Sequence, residues 1–300
     1  MTAAGAHTMK LLKSAAAQLA TAGVASPEAD ARQLLAHVLQ IEPSRLLLVD
    51  QVGPERGAAF QTLVDRRAAR VPLQHLTGTA YFRYVQLQVG PGVFVPRPET
   101  EVMTGWAIDR LRELQDRGRQ PQVVELCAGS GAISKAIAAE VPGVRIRALE
   151  ISEEATAWAE RNLAGTGVEL HTLDLAMAPA DWDATVDLVI ANPPYIPLDA
   201  YESVAPEARD HDPMVALFSG ADGLDAMREL AAVSARLLTD GGLVCAEHAE
   251  VQEHSAPDVF VKHGSFTAVR DQRDLSGRPR FVTASRVSRA PARVPHGAAR

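Results

Sequence analysis

Four residues, Asn192-Pro193-Pro194-Tyr195, carry groups suited to holding a planar group that bears an NH2. They follow residues 186–191, a largely apolar run typical of a buried strand, and open α/β sheets bind ligands where such strands end. Neither proline has a backbone N–H to donate, so the segment offers carbonyl acceptors, an amide and an aromatic ring. This chemistry suits an amide or the exocyclic amine of a base. The alternative interpretation is a proline-rich turn without function.

A second candidate site is the strand, glycine-rich turn and helix around Gly129 and Gly131. Glu150 ends the next predicted strand, 19 positions after Gly131, where an acid can bind ribose hydroxyls. These features predict an adenosine ligand. The third glycine of a dinucleotide fingerprint is replaced by Ser134, which disfavours a pyrophosphate and favours S-adenosylmethionine, a ligand without phosphate. Asp174, after the third strand, is equally consistent with an adenine contact and with an ordinary strand-terminal acid.

Residues 1–73 contain three amphipathic helical patterns and predict a small N-terminal helical bundle. One of these helices begins at Ser26-Pro27, with serine as N-cap and proline in the first position. The bundle is either a structural cap or a docking surface for a macromolecular substrate, and the sequence favours neither.

Alternating strands and helices from residue 122 onward predict an α/β domain with a doubly wound, mostly parallel sheet. Before it, residues 81–95 alternate with period two and are interrupted at 90–92, which predicts a β-hairpin. We therefore divide the chain into the bundle at 1–73, a hairpin linker at 74–95, a catalytic domain at 96–285 and a disordered tail at 286–300.

The composition of the 300 residues, 47% hydrophobic and 22% charged, is that of a globular protein. The net charge is −7 although the tail carries four arginines and no acid, so nucleic acid is an unfavoured partner. Two cysteines form no metal or disulfide pattern, and the histidine and carboxylate spacings predict no metal site. No segment is typical of a membrane span or a signal peptide, so we expect a cytoplasmic protein. Nothing in the sequence indicates an oligomeric state.

Several motifs together resemble the HemK/PrmC family, the peptide chain release factor glutamine N5-methyltransferases. The resemblance runs from about residue 29 to residue 282. Its most specific motif, Pro-Arg-Pro-Glu-Thr-Glu, precedes the glycine-rich turn. The motifs lie at residues 72–78, 82, 95–101, 125–133, 192–196, 220–224, 247–248 and 274–278.

The resemblance implies a seven-stranded class I methyltransferase fold, S-adenosylmethionine as the cofactor and release factors as partners. It also implies site residues. The expected cofactor-binding residues are Cys127, Ala128, Gly129, Ser130, Gly131, Glu150, Asp174, Leu175 and Asn192. The expected substrate-binding residues are Arg97, Thr100, Asn192, Pro193, Pro194 and Tyr195. Among them Asn192, Pro193 and Tyr195 are the expected catalytic residues.

Three positions depart from the family pattern. Cys127 replaces the first glycine of the turn, Leu175 stands where an aromatic residue often packs beside adenine, and Ala249 replaces a glycine. Because Gly129 and Gly131 remain, we expect the turn to form.

The predicted reaction is methyl transfer to the glutamine side-chain nitrogen of the Gly-Gly-Gln loop of release factors. Asn192 and the Pro193 carbonyl would accept hydrogen bonds from the amide, and orientation would supply most of the catalysis. A ribosomal protein glutamine is a nearby alternative. Adenine N6 or cytosine N4 of DNA or RNA is another, because each is also a conjugated amine. A non-catalytic binding protein is a third class, disfavoured by the intact turn and Asn192.

Overall fold

The computed structural model describes residues 5–287 and divides them into two compact units. The first unit comprises the described residues up to 81, together with Gln86–Val95 and Ala200–Met214. The second comprises Phe82–Val85, Pro96–Asp199 and the described residues from 215 onward. Each unit has its own hydrophobic core.

The first unit is built from helices, and all of them except the last one named below contribute buried apolar residues to one core. Its helices are α1 (Gly5–Thr21), α2 (Pro27–Leu39), α3 (Pro54–Ala68), α4 (Leu73–Thr77) and α8 (Pro206–His211). Proline opens α2 and α3, where the missing N–H costs nothing. Ser26 precedes α2 as predicted, but its side chain makes no capping hydrogen bond. The core includes the fully buried Leu34, Leu35 and Val64.

Helix α8 belongs to the first unit although it follows Asn192 in the chain, and an ion-pair network explains its place. The Glu207 carboxylate accepts hydrogen bonds from Nη2 of Arg70 at 2.5 Å and Nη2 of Arg67 at 3.0 Å. Arg67 also donates from Nε to Asp30 of α2 at 2.7 Å. Ion pairs between residues far apart in the sequence thus hold α8 in the first unit. No local sequence pattern predicts such pairs.

The predicted hairpin is present, but its turn lies elsewhere. Strands β1 (Thr79–Phe82) and β2 (Val85–Gln88) turn at Arg83-Tyr84, not at residues 90–92. Arg83 has a φ of 50°. Its guanidinium donates to both Glu140 carboxylate oxygens, at 2.6 and 2.8 Å, and to the Glu101 carbonyl at 3.1 Å. These contacts with distant parts of the chain stabilise a turn that a non-glycine residue rarely makes.

Within residues 5–287, the main sheet of the second unit has seven strands in the order β5-β4-β3-β6-β7-β9-β8. The strands are β3 (Gln122–Leu126), β4 (Arg145–Glu150), β5 (Glu169–Thr172), β6 (Val186–Ala191), β7 (Leu238–Glu247), β8 (Phe266–Arg273) and β9 (Pro279–Arg286). Strand β9 pairs antiparallel with both of its neighbours, β7 and β8, and the other pairs are parallel. The predicted seven-stranded, mostly parallel sheet is therefore confirmed, and the strand order reverses between β3 and β6.

Helices cover both faces of this sheet, as a doubly wound fold requires. They are α5 (Pro98–Asp116), α6 (Ala132–Glu140), α7 (Glu153–Leu163), α10 (Asp225–Leu237) and α11 (Ser255–His263), and a short helix α9 spans Met214–Leu217. Helices α5, α6 and α7 pack along one face, while α10 and α11 pack on the other. Helix α5 begins at Pro98, so Thr100 lies in its first turn.

The ends of the described chain bear on two further predictions. Arg286, placed in the tail by the sequence analysis, ends β9 and donates from Nε to the Ala235 carbonyl at 2.8 Å. The rest of the predicted tail, from 288 to 300, lies outside the described residues. None of the helices described between residues 5 and 287 has the length and hydropathy to cross a membrane.

Candidate active site

The turn after β3 combines three residues with positive φ: Cys127 at 62°, Gly129 at 55° and Gly131 at 76°. Gly131 has to be glycine, because a Cβ would lie 2.9 Å from Cγ of Leu163 on α7. A Cβ on Gly129 would meet no atom within 4 Å, so its Cα faces open space that a ligand can approach. Cys127 takes the left-handed conformation at a cost of about 1–2 kcal/mol for an L-residue.

The turn presents its backbone to the open side. Ala128 and Ser130 are buried, with 6% and 3% of their surface exposed. The Ala128 N–H donates to the Leu149 carbonyl at 2.9 Å, and Asn162 donates from Nδ2 to the Ser130 carbonyl at 2.9 Å. The predicted cofactor residues on either side of Gly129 therefore anchor the turn from behind.

Glu150, the last residue of β4, is buried and already has two hydrogen-bond partners. Its carboxylate accepts from the Gly129 N–H at 2.7 Å and from the Ser152 N–H at 2.9 Å. Each carboxylate oxygen can accept two hydrogen bonds, so capacity for ribose hydroxyls remains. Glu150 thus lies at the glycine-rich turn, as the sequence predicted, and also holds that turn in place.

Asp174 and Leu175 have clear structural positions. Asp174 caps the following 3₁₀ turn, its Oδ1 accepting from the Ala176 N–H at 2.9 Å. Leu175 is only 9% exposed and belongs to the core, so it offers little surface to an adenine ring. Ile151 is 51% exposed directly after Glu150 and offers more apolar surface at this edge. An isoleucine after a strand-terminal acid was a signal that the sequence analysis overlooked.

The electrostatic field at the turn fits S-adenosylmethionine, whose sulfonium and ammonium groups are cationic. Burial raises the pKa of the Cys127 thiol, and the carboxylates of Glu150, Glu125, Asp174 and Glu229 raise it further. Burial raises the pKa of Glu125 to about 8, so this carboxyl is largely protonated near pH 7 and the other three acids supply the negative charge around Cys127. A negative field of this kind repels a pyrophosphate and attracts a sulfonium. The negative charge and the open side of Gly129 are together compatible with this cationic cofactor.

The register between β3 and β6 determines how Asn192 lies relative to the turn. Leu126 of β3 pairs with Ala191 of β6 in a parallel ladder. Cys127 and Asn192 are therefore the first residues beyond one paired position. Parallel neighbours lie about 4.8 Å apart, so the glycine-rich turn and the Asn192 segment leave the sheet side by side.

Asn192 is connected to a buried polar network at the start of α5. Its Nδ2 lies 3.3 Å from Oγ1 of Thr100, and Thr100 donates from Oγ1 to Oε2 of Glu247 at 2.6 Å. Tyr195 donates from its hydroxyl to Oε1 of the same carboxylate at 3.1 Å. Thr100 and Glu247 are 3% and 1% exposed. The structure thus brings together three predicted site residues, Thr100, Asn192 and Tyr195, around one acid.

Glu247 had no assigned role in the sequence analysis, where it appeared only within a motif. It ends β7, the strand beside β6, so it lies at the same edge of the sheet as Asn192. Burial raises the pKa of Glu247 to about 7, although hydrogen bonds from Thr100 and Tyr195 and the Arg280 charge oppose the shift. Burial and the Glu247 charge likewise raise the pKa of the Tyr195 hydroxyl. An acid that ends an apolar strand was the available signal.

The backbone around Tyr195 is held from behind. Gln252 is buried and donates from Nε2 to the Tyr195 carbonyl at 3.0 Å. A Cβ on Gly223, whose φ is 74°, would lie 2.3 Å from that carbonyl oxygen. The motif around Gly223 therefore supports the loop that contains Pro193 and Pro194. Pro193 is buried and Pro194 is half-buried.

Arg97 lies at the N-cap of α5 and is half-buried. Its positive charge lowers the pKa of the Tyr195 hydroxyl, against the larger effect of burial. Among residues 5–287, no group of three or more histidines, cysteines and carboxylates is arranged to hold a metal ion.

Comparison with known proteins gives two domain matches and close relatives. Residues 10–78 match the PrmC N-terminal domain, and residues 91–205 match the methyltransferase small domain. A release factor glutamine methyltransferase from Streptomyces coelicolor is 50% identical over 280 residues, which cover 92% of this chain and 98% of that protein.

A second relative is named for a different activity. The 4-amino-L-phenylalanine/4-methylamino-L-phenylalanine methyltransferase of Streptomyces pristinaespiralis is 40% identical over 272 residues, covering 89% of this chain and 91% of that protein. Among solved structures, the hMettl16 catalytic domain in complex with a MAT2A 3'UTR hairpin has a TM-score of 0.53 at 12% identity. It covers 70% of this chain and 78% of its own, and it supports the methyltransferase fold alone.

The helical N-terminal unit, the glycine-rich turn with Glu150, and the Asn192 segment on the adjacent strand agree with these matches. On 50% identity across nearly the whole of both proteins, the chain belongs to the release factor glutamine methyltransferase family.

Proposed function

We propose that this enzyme transfers a methyl group from S-adenosylmethionine to the side-chain nitrogen N5 of a glutamine. The proposed acceptor is the glutamine in the Gly-Gly-Gln loop of peptide chain release factors. The names of the relatives support release factors and glutamine as the substrate class. The position of the glutamine within the Gly-Gly-Gln loop rests on the family resemblance.

The observation that carries the proposal is the pairing of Leu126 with Ala191. This pairing supports the proposal because Cys127 and Asn192, which follow the paired residues, leave neighbouring strand ends, where an adenosine ligand and an amide could be held side by side. S-adenosylmethionine, when bound, supplies an electrophilic methyl group. The residues proposed to hold it are those of the glycine-rich turn, Cys127 to Gly131, with Glu150 for the ribose, Asp174 and Leu175 near adenine, and Asn192.

The protein's task on the acceptor side is orientation, because an amide nitrogen is a poor nucleophile whose lone pair is shared with the carbonyl. We assign the two hydrogens of the substrate NH2 to Oδ1 of Asn192 and the backbone carbonyl of Pro193. Two acceptors in fixed positions hold the amide plane and increase the electron density on nitrogen. The ring of Tyr195, adjoining Pro194, would pack on the amide and exclude water. The nitrogen's surplus proton can leave to water.

Arg97 and Thr100 complete the proposed substrate region. Arg97 is half-buried at the N-cap of α5, three residues before Thr100, and carries a charge that can meet the substrate backbone. Thr100 is buried and bonded to Asn192, which supports an indirect role in substrate binding.

We further propose the division into a bundle at 1–73, a linker at 74–95 and a catalytic domain at 96–285, with a cytoplasmic location where release factors act. Leu47 and Leu48 are 76% and 81% exposed on the first unit, and a release factor that docks on the bundle would cover such residues. If release factor docks there, replacing Leu47 and Leu48 by serine should raise the KM for release factor. If the bundle is purely structural, the same double variant should leave that KM unchanged.

The competing acceptors have different chemistry. A nucleobase would require a basic groove, which the net charge of −7 does not favour. A ribosomal protein glutamine would use the same amide receptor. An aromatic amine, as in the name of the Streptomyces pristinaespiralis relative, also presents a conjugated NH2.

The test is incubation of the full chain with labelled methyl donor and each acceptor separately: a release factor, a ribosomal protein fraction, a duplex oligonucleotide and 4-amino-L-phenylalanine. We expect label on the release factor only, at the loop glutamine located by peptide mass spectrometry. A release factor whose loop glutamine is replaced by asparagine is the matched control. Label on another acceptor, with none on the loop glutamine, would overturn the proposal.

A further inference from the structure

The buried carboxylate of Glu247 binds two hydroxyls that belong to substrate-facing elements. Thr100 donates to Oε2 at 2.6 Å and Tyr195 donates to Oε1 at 3.1 Å. Glu247 itself is 1% exposed and lies behind these residues, so it is not placed to touch a substrate. A carboxylate that is so fully desolvated requires donors on both oxygens.

The direction of each hydrogen bond follows from the types of the groups. An ionised carboxylate only accepts, so the single Thr100 hydroxyl proton points to Glu247. The Thr100 oxygen is then an acceptor, and it faces the amide of Asn192 at 3.3 Å. Only the NH2 of that amide can donate to it.

The opposite orientation of the Asn192 amide would break this pattern. With Oδ1 toward Thr100, the hydroxyl proton would be needed for Asn192, and Oε2 of Glu247 would lose its donor. Leaving a buried charged acceptor without a partner is costly. The acid therefore selects the orientation in which Oδ1 of Asn192 is directed away from Thr100.

We propose that Glu247 is a positioning residue for methyl transfer, which acts through Thr100 to present Oδ1 of Asn192 to the substrate NH2 and fixes Tyr195 through its hydroxyl. This inference rests on the proposed function for its substrate, but the hydrogen-bond relay itself exists without one. Glu247 makes no contact with the reacting atoms in this scheme.

The ionised form of Glu247 is the one that can accept both hydroxyls. Its pKa of about 7 is raised by burial and by Glu99, and opposed by Thr100, Arg280 and Tyr195. Arg97 also acts on Tyr195, and the neighbouring His248 has a lowered pKa because it is buried. As the pH falls through about 7, Glu247 gains a proton, becomes a donor and no longer selects one Asn192 orientation. Turnover is expected to decline over the same range.

Three variants test the relay by its chemistry. In Glu247→Gln the shape is kept and one acceptor becomes a donor. In Thr100→Val the hydroxyl is lost at constant volume, whereas Thr100→Ser keeps it and serves as the matched control. We expect Glu247→Gln and Thr100→Val to lower kcat about 10- to 100-fold, with the KM for release factor and the Kd for S-adenosylmethionine within about threefold. Thr100→Ser should retain most of the turnover.

Two further measurements separate a relay from general damage to the fold. The double variant Thr100→Val/Glu247→Gln should be no slower than the slower single variant, because both changes break one chain of hydrogen bonds. The acid limb of kcat near pH 7 should be absent from Glu247→Gln. A loss in kcat equal to the product of the two single fold-losses, or an unchanged acid limb, would overturn the proposal.

A readout without substrate keeps this test distinct from that of the proposed function. In ¹⁵N NMR, the Asn192 side-chain NH2 signals, assigned by their loss in Asn192→Ala, should titrate near pH 7 in the unaltered protein. They should not titrate in Glu247→Gln. Identical titration in both would sink the relay even if methyl transfer is normal. Conversely, absence of methyl transfer by the unaltered enzyme would refute the proposed function and leave the NMR result valid.

Discussion

The backbone N–H of Gly129 donates a 2.7 Å hydrogen bond to Oε2 of Glu150. Glu150, which is proposed to bind the ribose, therefore also fixes the backbone of Gly129, the residue whose Cα faces open space. Since the other carboxylate oxygen accepts from Ser152, both oxygens are oriented before any ligand arrives. In the proposed site, cofactor affinity and turn geometry would therefore both depend on the Glu150 side chain.

We expect Glu150→Ala to lower the affinity for S-adenosylmethionine about 10- to 100-fold, because hydrogen bonds to a charged group contribute about 1.5–3 kcal/mol. Turnover at saturating cofactor should fall by less than about tenfold. Calorimetric titration and saturation kinetics measure the two effects. Glu154→Ala, on an exposed acid in the first turn of α7, removes the same charge and should leave affinity unchanged. Equal affinities for Glu150→Ala and the unaltered protein would remove Glu150 from the cofactor site.

Asn192→Ala should show the reverse pattern. It removes the proposed acceptor of the substrate NH2, so we expect kcat to fall about 100-fold through misorientation of the amide. The Kd for S-adenosylmethionine should stay within about threefold, because the glycine-rich turn and Glu150 are untouched. A loss confined to cofactor affinity would mean that Asn192 serves the cofactor alone.

Replacement of Cys127 by glycine should stabilise the protein relative to Cys127→Ala. Both variants lose the thiol, but only alanine keeps the left-handed strain at a φ of 62°. Glycine relieves that strain but loses more conformational entropy on folding than alanine does. The net difference in the free energy of unfolding should therefore be about 0.5–1 kcal/mol. Urea unfolding of the two variants measures this difference. If the alanine variant proves as stable as the glycine variant, the turn does not impose the strain.

The Glu207 network predicts a pH-dependent part of the stability of the first unit. Burial alone would raise the pKa of Glu207, but hydrogen bonds from Arg70 and Arg67 lower it to about 2. A carboxyl whose folded pKa lies below its unfolded value of 4.5 stabilises the fold above pH 4.5. This contribution is lost as the pH falls from about 4.5 toward 2.

Glu207→Gln should therefore lower the free energy of unfolding by about 1–2 kcal/mol at pH 7, allowing for partial solvent screening. Denaturant titrations between pH 3 and pH 7 should show this gap narrowing at the acid end. Glu202→Gln, nearby on the chain with its side chain 90% exposed, is the control and should change stability little. A gap independent of pH would show that the ion pairs with Arg67 and Arg70 do not carry the effect.

The sequence was most informative where structure is local. The strand, turn and helix around Gly129 and the buried strand before Asn192 were readable, because glycine positions and apolar runs report on neighbouring residues. The doubly wound sheet followed from the same alternation.

What was missed depends on residues far apart in the chain. Glu247 reaches Thr100 across 147 positions, and no spacing rule links an acid on β7 to the first turn of α5. The hairpin turn was placed at residues 90–92 on its glycines, whereas the contact of Arg83 with Glu140, 57 positions away, stabilises it elsewhere. Tertiary contacts of this kind override local turn propensity.

The pairing of Leu126 with Ala191 has one more consequence. The distance between the glycine-rich turn and the Asn192 segment is set by backbone hydrogen bonds between β3 and β6. These strands lie in the middle of the sheet, so we expect this distance to vary little. Changes in the surrounding loops can alter which ligand binds, but not the distance between the glycine-rich turn and the Asn192 segment. A slip of the ladder by one residue would turn Asn192 to the opposite face, so the proposed role of Asn192 requires this register. The strand register thus determines the spacing between the two parts of the proposed site, and a change of substrate preference would have to preserve that register.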